Sequence, residues 1–225
     1  MISYLSEKHK LQFSHIPKSG CQSVRKFLLK INNENQDIDI WSREFENKYI
    51  IRTTNTLKGF KHYSLIRNPY ARIVSCYFNK IVGVNWDKFK RYFRGKYKGS
   101  RPTFREFVNR LDQGILKAND HWRPQYQLIN NRYTRILKLE DKKSIDNEML
   151  RETGCAFIHF KARHHMHNII QSDQFFGDST YEYLVQFFNK SSQPQYKKFF
   201  DEEIQNIIFN LYKFDFKNFD YSQDL

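Results

Sequence analysis

Residues Lys10–Ile31 constrain the fold more than any other stretch. KLQFSHI (Lys10–Ile16) has the short apolar pattern of a strand, and PKSG (Pro17–Gly20) breaks it. SVRKFLLKI (Ser23–Ile31) then sets Val24, Phe27, Leu28 and Ile31 at helical spacing. A strand that passes through a tight loop into a helix opens a crossover unit, the connection a parallel sheet requires. The same order recurs at Tyr63–Ile66, a strand pattern ending in Arg67-Asn68-Pro69. Pro69 suits the first turn of a helix, and Tyr70, Ile73, Val74, Tyr77, Phe78 and Ile81 form that helix's apolar stripe. Lys48–Thr53 and Thr134–Leu139 add strand patterns, while Thr103–Leu111, Asp146–Glu152, Tyr181–Asn189 and Asp201–Tyr212 read as helices. The alternation predicts an α/β fold with a small central parallel sheet flanked by helices in three layers. With 225 residues, no repeat and no Pro/Gly/Ser-rich linker, the chain is expected to form one domain over 1–225. That domain would carry a basic insertion at about 86–105 and a helical C-terminal part at about 180–225.

In open sheets of this kind ligands bind beyond the carboxyl ends of the strands. Two of the predicted strands end there in anion-binding chemistry. In HIPKSGCQS (His15–Ser23), backbone N–H groups and a positive helix end face the loop, Gly20 allows close approach, Lys18 brings a charge and Ser23 a hydroxyl. The nucleotide-binding pattern GxxxxGK followed by Ser or Thr is not matched, because the lysine precedes the glycine. In LIRNPYARIVSCYF (Leu65–Phe78), Arg67 at a strand end and Ser75 on the next helix can converge on one phosphate, by guanidinium and hydroxyl donation.

The charge distribution supports an anionic partner. The net charge is +14, and from Lys58 to Arg110 there are 14 Lys or Arg against Asp87 and Glu106. The remainder of the chain therefore carries only +2. Trp86–Arg105 is densest, with eight bases, one acid and interleaved aromatics. Such a field attracts polyanions, whether nucleic acid, anionic polysaccharide or a phosphate-rich cofactor. No run approaches the roughly 18 apolar residues of a membrane span, and the polar start does not read as a signal peptide. Three cysteines, Cys21, Cys76 and Cys155, make no disulfide framework and are expected to be reduced.

Together HIPKSG and RNPYARIVSCY resemble the sulfotransferases that use 3′-phosphoadenylyl sulfate (PAPS), most closely the carbohydrate branch. DHWRPQ (Asp120–Gln125) is similar to a His-Trp element of the Golgi-type members, and RHHMHN (Arg163–Asn168) sits where relatives carry a further short motif. The resemblance covers roughly Lys10 to Asn168 and implies a P-loop-like α/β unit. It assigns the 5′-phosphosulfate loop to Pro17, Lys18, Ser19, Gly20, Cys21, Gln22 and Ser23, and the 3′-phosphate to Arg67 and Ser75. The implied reaction is in-line sulfuryl transfer from PAPS to a carbohydrate hydroxyl, leaving adenosine 3′,5′-bisphosphate, with no metal.

Lys18 would stabilise charge on the leaving oxygen. His121 is the first choice of base and His15 the second, with His62 and Glu140 weaker. Trp122 offers a face for a sugar ring, and Arg123, Lys88, Arg91 and Arg94 would hold an anionic acceptor. His164, His165 and His167 match no second ligand group, so no metal site is expected. Many relatives have threonine where Gln22 stands, and some have a histidine where Thr54-Asn55-Thr56 stands. Golgi members often carry a cysteine pair after the His-Trp element, which YQLINNRY lacks. That points to a bacterial-style cytoplasmic enzyme, or a Golgi-lumen one if an N-terminal anchor is missing from the sequence; with no recognised nucleic-acid motif and no apolar run of spanning length, neither a nucleic-acid partner nor a membrane span is expected. The alternatives are a basic polyanion- or nucleic-acid-binding module without catalysis and a nucleotide-dependent kinase.

Overall fold

The computed structural model describes residues 2–53, 56–83, 86–93, 101–129, 135–159, 168–189 and 192–225. Its strands are β1 (Ile2–Ser6), β2 (Leu11–Ser14), β3 (Ile50–Arg52), β4 (Lys61–Ile66), β5 (Arg135–Lys138), β6 (Asn168–Ile170) and β7 (Ser192–Pro194). Its helices are α1 (Cys21–Ile31), α2 (Arg43–Tyr49), α3 (Pro69–Tyr77), α4 (Trp86–Phe89), α5 (Phe104–Asp112), α6 (Lys142–Thr153), α7 (Tyr181–Asn189) and α8 (Glu202–Asn218). The chain divides into two compact units, Met1–Arg67 with Gln125–Ala162, and Asn68–Pro124 with Arg163–Leu225.

The first unit holds a five-stranded sheet in the order β3-β1-β2-β4-β5. Its β2-β4-β5 part is parallel, as the two strand–loop–helix patterns require. To it are added β1, antiparallel to β2, and β3, antiparallel to β1. Strand β1 is an element the sequence pattern did not separate from the chain's polar start. α2 occupies Arg43–Tyr49, so the strand expected from Lys48 is only Ile50–Arg52. Side chains alternate across a strand. On one face Phe13, Tyr63 and Leu65 pack with Val24, Phe27, Leu28 and Ile31 of α1, all buried. Phe27 alone, fully buried, contributes about 1.5–3 kcal/mol.

The alternate positions of the same strands are polar yet buried: Ser3, Gln12, Ser14, His62 and Ser64. They satisfy one another. Ser64 donates to Ser14 Oγ (2.7 Å), Ser14 donates to His62 Nε2 (2.8 Å), and His62 Nδ1 lies 3.0 Å from Thr56 Oγ1. Gln12 donates to Ser3 (3.1 Å) and accepts from the Leu57 N–H (2.9 Å). A buried polar row survives only when hydrogen-bonded in this way.

The second unit absorbs most of the chain's aromatic side chains. Tyr70, Tyr77, Phe104, Phe107, Trp122, Phe199, Tyr212 and Phe216 belong to one buried cluster. The polar tips find partners: Tyr77 Oη donates to the Pro102 carbonyl (2.9 Å) and Tyr212 Oη to that of Trp122. α3 starts at Pro69, with Asn68 accepting the N–H groups of Tyr70 and Ala71. It runs on into a π-turn over Phe78–Val82, so the apolar stripe reaches Ile81 as expected. α5 opens on a capping box between Thr103 and Glu106. α8 bends at Tyr212, where φ is −113°.

Candidate active site

In the first unit, β2 leads through Ile16–Gly20 into α1. Lys18 is held at φ +69° and Gly20 at +89°. A non-glycine residue in that region costs about 1–2 kcal/mol and marks a loop whose shape is imposed from outside. Glycine is favoured at Gly20, where φ is left-handed and a Cβ would press 3.1 Å from Leu139 Cδ1 and 3.2 Å from Leu65 Cδ2. Gly20 is also the N-cap of α1, which has no side-chain cap and no acidic residue in its first turn. The positive end of an 11-residue helix thus meets the loop without a competing carboxylate of its own. Ser23 is buried within that first turn.

Arg67 is the residue immediately after β4. Its Nη1 lies 3.5 Å from the carbonyl oxygen of Lys18, so the guanidinium lies beside the strand–helix loop. Gln125, which carried no expected role, joins them. Its side chain is fully buried and accepts from Ser19 Oγ (2.8 Å) and from the Arg67 N–H (2.9 Å). Its amide donates in turn to the Arg67 carbonyl (2.8 Å). The hydroxyl of Ser19 is therefore turned toward Gln125, and its backbone N–H donates to the Ile16 carbonyl (3.2 Å).

His15 Nδ1 is hydrogen-bonded to Tyr4 Oη, with the two rings edge to face. Burial pushes the Cys21 thiol up, but His15 and Arg25 outweigh it and hold the thiol below its ordinary value. Burial, with Cys21, pushes the Tyr4 hydroxyl well up. His15 is thus tied into a Tyr4–Cys21 cluster at the start of α1. His62, a weaker choice of base, belongs to the buried polar row, and burial lowers its pKa to about 4.

In the second unit, Ser75 is half-buried on α3. Arg72, one turn earlier and 1% exposed, reaches the carbonyls of Asp120 (3.0 Å) and Arg123 (2.9 Å) and so pins the turn that carries His121. His121 Nδ1 lies 2.7 Å from Asn119 Oδ1, while Asn119 Nδ2 donates to Tyr92 Oη (3.1 Å). The amide is oriented by that second bond, so its oxygen faces Nδ1, which donates to it.

Trp122 corrects the sequence reading. It is fully buried, donates to the Ile115 carbonyl (2.7 Å) and packs edge to face on Phe89, Tyr92 and Phe107. It is a core residue and offers no face to a sugar. Arg123 is engaged locally with Asp120 (2.9 Å) and the Lys117 carbonyl (2.6 Å).

The basic stretch also sorts itself. Phe89 and Phe93 point into the core, whereas Lys88, Lys90 and Arg91 are exposed. Arg101 caps the carbonyls of Ile81, Val82 and Gly83 at 2.7–2.9 Å, and Arg105 pairs with Asp178, Asp201 and Glu203. These two bases are structural. Arg94, Thr54, Asn55 and the three histidines of RHHMHN lie outside the described residues. Among the described residues no group of acidic, His and Cys side chains could hold a metal, and no helix is long and apolar enough to cross a membrane.

A model of the sulfotransferase family matches residues 3–222. The chain is 24% identical to rat (Rattus norvegicus) carbohydrate sulfotransferase 11, over 97% of its own length and 66% of the relative's. It is 23% identical to the mouse (Mus musculus) protein of the same name, with the same coverage. Against carbohydrate sulfotransferase 14 of Danio rerio it is 23% identical over 55% of this chain and 40% of the relative. The chain thus spans at most about two-thirds of the length of these relatives. No solved structure matches.

Proposed function

The chain belongs to the sulfotransferase family, and from that premise we propose that it transfers a sulfuryl group from PAPS to a hydroxyl of an anionic carbohydrate. The observation that carries this is the strained loop at the head of α1, with the Arg67 guanidinium 3.5 Å from the Lys18 carbonyl. The Arg67 guanidinium beside the loop that carries Lys18 at the head of α1 supports a ligand with more than one phosphate. The names of the relatives support the carbohydrate. The exposed Lys88, Lys90 and Arg91 support its negative charge.

PAPS, when bound, supplies a sulfuryl group on a phosphate leaving group. The remaining work falls to this chain. The backbone N–H groups of Lys18 and Gly20–Ser23 and the Ser23 hydroxyl hold the 5′-phosphate, with Gly20 and Cys21 opening the helix, while Ser19 closes the loop through its N–H to the Ile16 carbonyl (3.2 Å). Arg67 holds the 3′-phosphate, to which the family resemblance adds Ser75. The Lys18 ammonium neutralises charge on the departing phosphate oxygen. His121 Nε2 takes the proton of the acceptor hydroxyl as its oxygen bonds to sulfur, a role worth about 10²–10⁴-fold.

The test has two arms. Calorimetry should show tight binding of adenosine 3′,5′-bisphosphate, and labelled PAPS should mark at least one member of a panel of polysaccharides. Absence of bisphosphate binding overturns the donor assignment. Binding without transfer to any glycan overturns the acceptor class.

A further inference from the structure

We propose that Gln125 is a positioning residue that fixes the spacing between the two phosphate-holding groups, an inference that rests on the donor assignment above. The primary amide does two things at once. It closes a two-way pair with the peptide of Arg67, accepting its N–H at 2.9 Å and donating to its C=O at 2.8 Å. On the same oxygen it takes the Ser19 hydroxyl, at 2.8 Å, from the loop between two left-handed residues. One buried side chain therefore bonds both anion-binding segments, 48 residues apart in sequence (Ser19 to Arg67).

The chemistry required at this position is narrow. The oxygen must accept two hydrogen bonds and the other terminal atom must donate one. Glutamate has the acceptors but loses the donor when ionised. Methionine fills the same volume with neither. Asparagine is one methylene short of both partners.

The clamp matters because a long guanidinium side chain is aimed only as well as its own backbone is held. A ligand with two phosphates gains from the second contact only where the two receiving groups are held at its spacing; otherwise the effective concentration of the second phosphate falls. Gln125 does not touch the ligand. It acts through Ser19 and Arg67, so its loss should appear in the advantage of two phosphates over one rather than in the affinity for one.

The experiment measures, by calorimetry on the full chain, the affinities for adenosine 5′-phosphate and adenosine 3′,5′-bisphosphate. In the unaltered protein the 3′-phosphate should raise affinity markedly. In Gln125→Met that gain should shrink by about tenfold, the scale of a lost buried hydrogen-bond pair, while the 5′-phosphate affinity changes less than about threefold. A gain that survives in a folded Gln125→Met overturns the proposal, as does an equal fall in both affinities, which would mark general damage to the loop.

Gln125→Glu provides an independent reading should the methionine variant not fold. Its gain, taken relative to the unaltered protein, should recover as pH is lowered and the buried carboxyl regains a proton to donate to the Arg67 carbonyl. A ratio independent of pH overturns the clamp. If the unaltered protein shows no gain from the 3′-phosphate at all, the donor assignment itself fails. A gain that is present but indifferent to Gln125 rejects the clamp and leaves the donor assignment standing.

Discussion

His62 should make the first unit acid-labile well before its carboxylates protonate. The ring is 3% exposed, takes a hydrogen bond from Ser14 on Nε2 and faces Thr56 with Nδ1. Ser14 gives its own hydroxyl proton to Nε2, so a proton on Nε2 would meet that donor and force the Ser14 hydroxyl to rotate away. Burial lowers the pKa from the ordinary 6.5 to about 4. The unfolded chain therefore binds a proton near pH 6.5 that the folded protein refuses until about pH 4. Between those values the unfolded state binds more protons, so the contribution to stability is whole above 6.5 and drains as pH falls toward 4. At 1.36 kcal/mol per pH unit the loss is about 2 kcal/mol by pH 5 and about 3 kcal/mol once pH is below 4. Urea unfolding of the parent and of His62→Gln, each at pH 7.5, 6 and 5, isolates the effect, because every other titrating group is common to both. The variant starts lower, but its stability should be flatter by about 2 kcal/mol over that range. Parallel losses in the two proteins would refute the reasoning.

Three further outcomes follow from the site. Lys18→Ala should lower turnover by about 100-fold or more while changing bisphosphate affinity little; Lys18→Gly should be equally slow yet more stable than the alanine variant by about 1 kcal/mol, since glycine relieves the φ of +69°. Thermal unfolding that ranks the two alike would remove the strain argument. Gly20→Ala should lose about 2–4 kcal/mol, combining left-handed strain with the contacts to Leu65 and Leu139, whereas Gly154→Ala, with φ +71° and nothing within 4 Å of its Cβ, should lose only the first part; equal losses in denaturant melts would mean the leucine wall yields freely. His121→Ala should slow transfer by about 10²–10⁴-fold, and Asn119→Ala by less, because Nδ1 then loses the acceptor that fixes the tautomer; a His121 variant with ordinary rates would move the base elsewhere.

Much of the fold was legible because its signals are local. The stripe from Tyr70 to Ile81 is carried by one helix and its π-turn, and Pro69 begins that helix where proline costs nothing. The helical pattern that stops at Tyr212 stops at a real bend in α8. What escaped was decided by partners remote in sequence. Strand β1 is short and lies beside charged residues, and it becomes a strand by pairing with β2 on one side and β3 on the other. The polar alternation of Ser3, Gln12, Ser14, His62 and Ser64 would suggest a wet sheet face, yet these side chains are buried and satisfied by each other.

At the site the same division holds, and it explains which residues misled. Lys18, Gly20 and Arg67 are visible in sequence because a breaker after a strand can do few other things. Trp122 stands next to His121, but neighbours on a turn point in different directions. The indole took the core, with its N–H bonded to the Ile115 carbonyl, and the imidazole kept a polar partner in Asn119. A tryptophan earns a sugar-binding role by its exposure, which sequence does not report, whereas a glycine at φ +89° earns its role by a backbone constraint, which sequence does. Gln125 is the extreme case. Its identity as glutamine is ordinary, and its significance lies in hydrogen bonds to segments 106 and 58 residues away. Residues that hold a site together by bonding its parts are, for that reason, the ones a single sequence hides best.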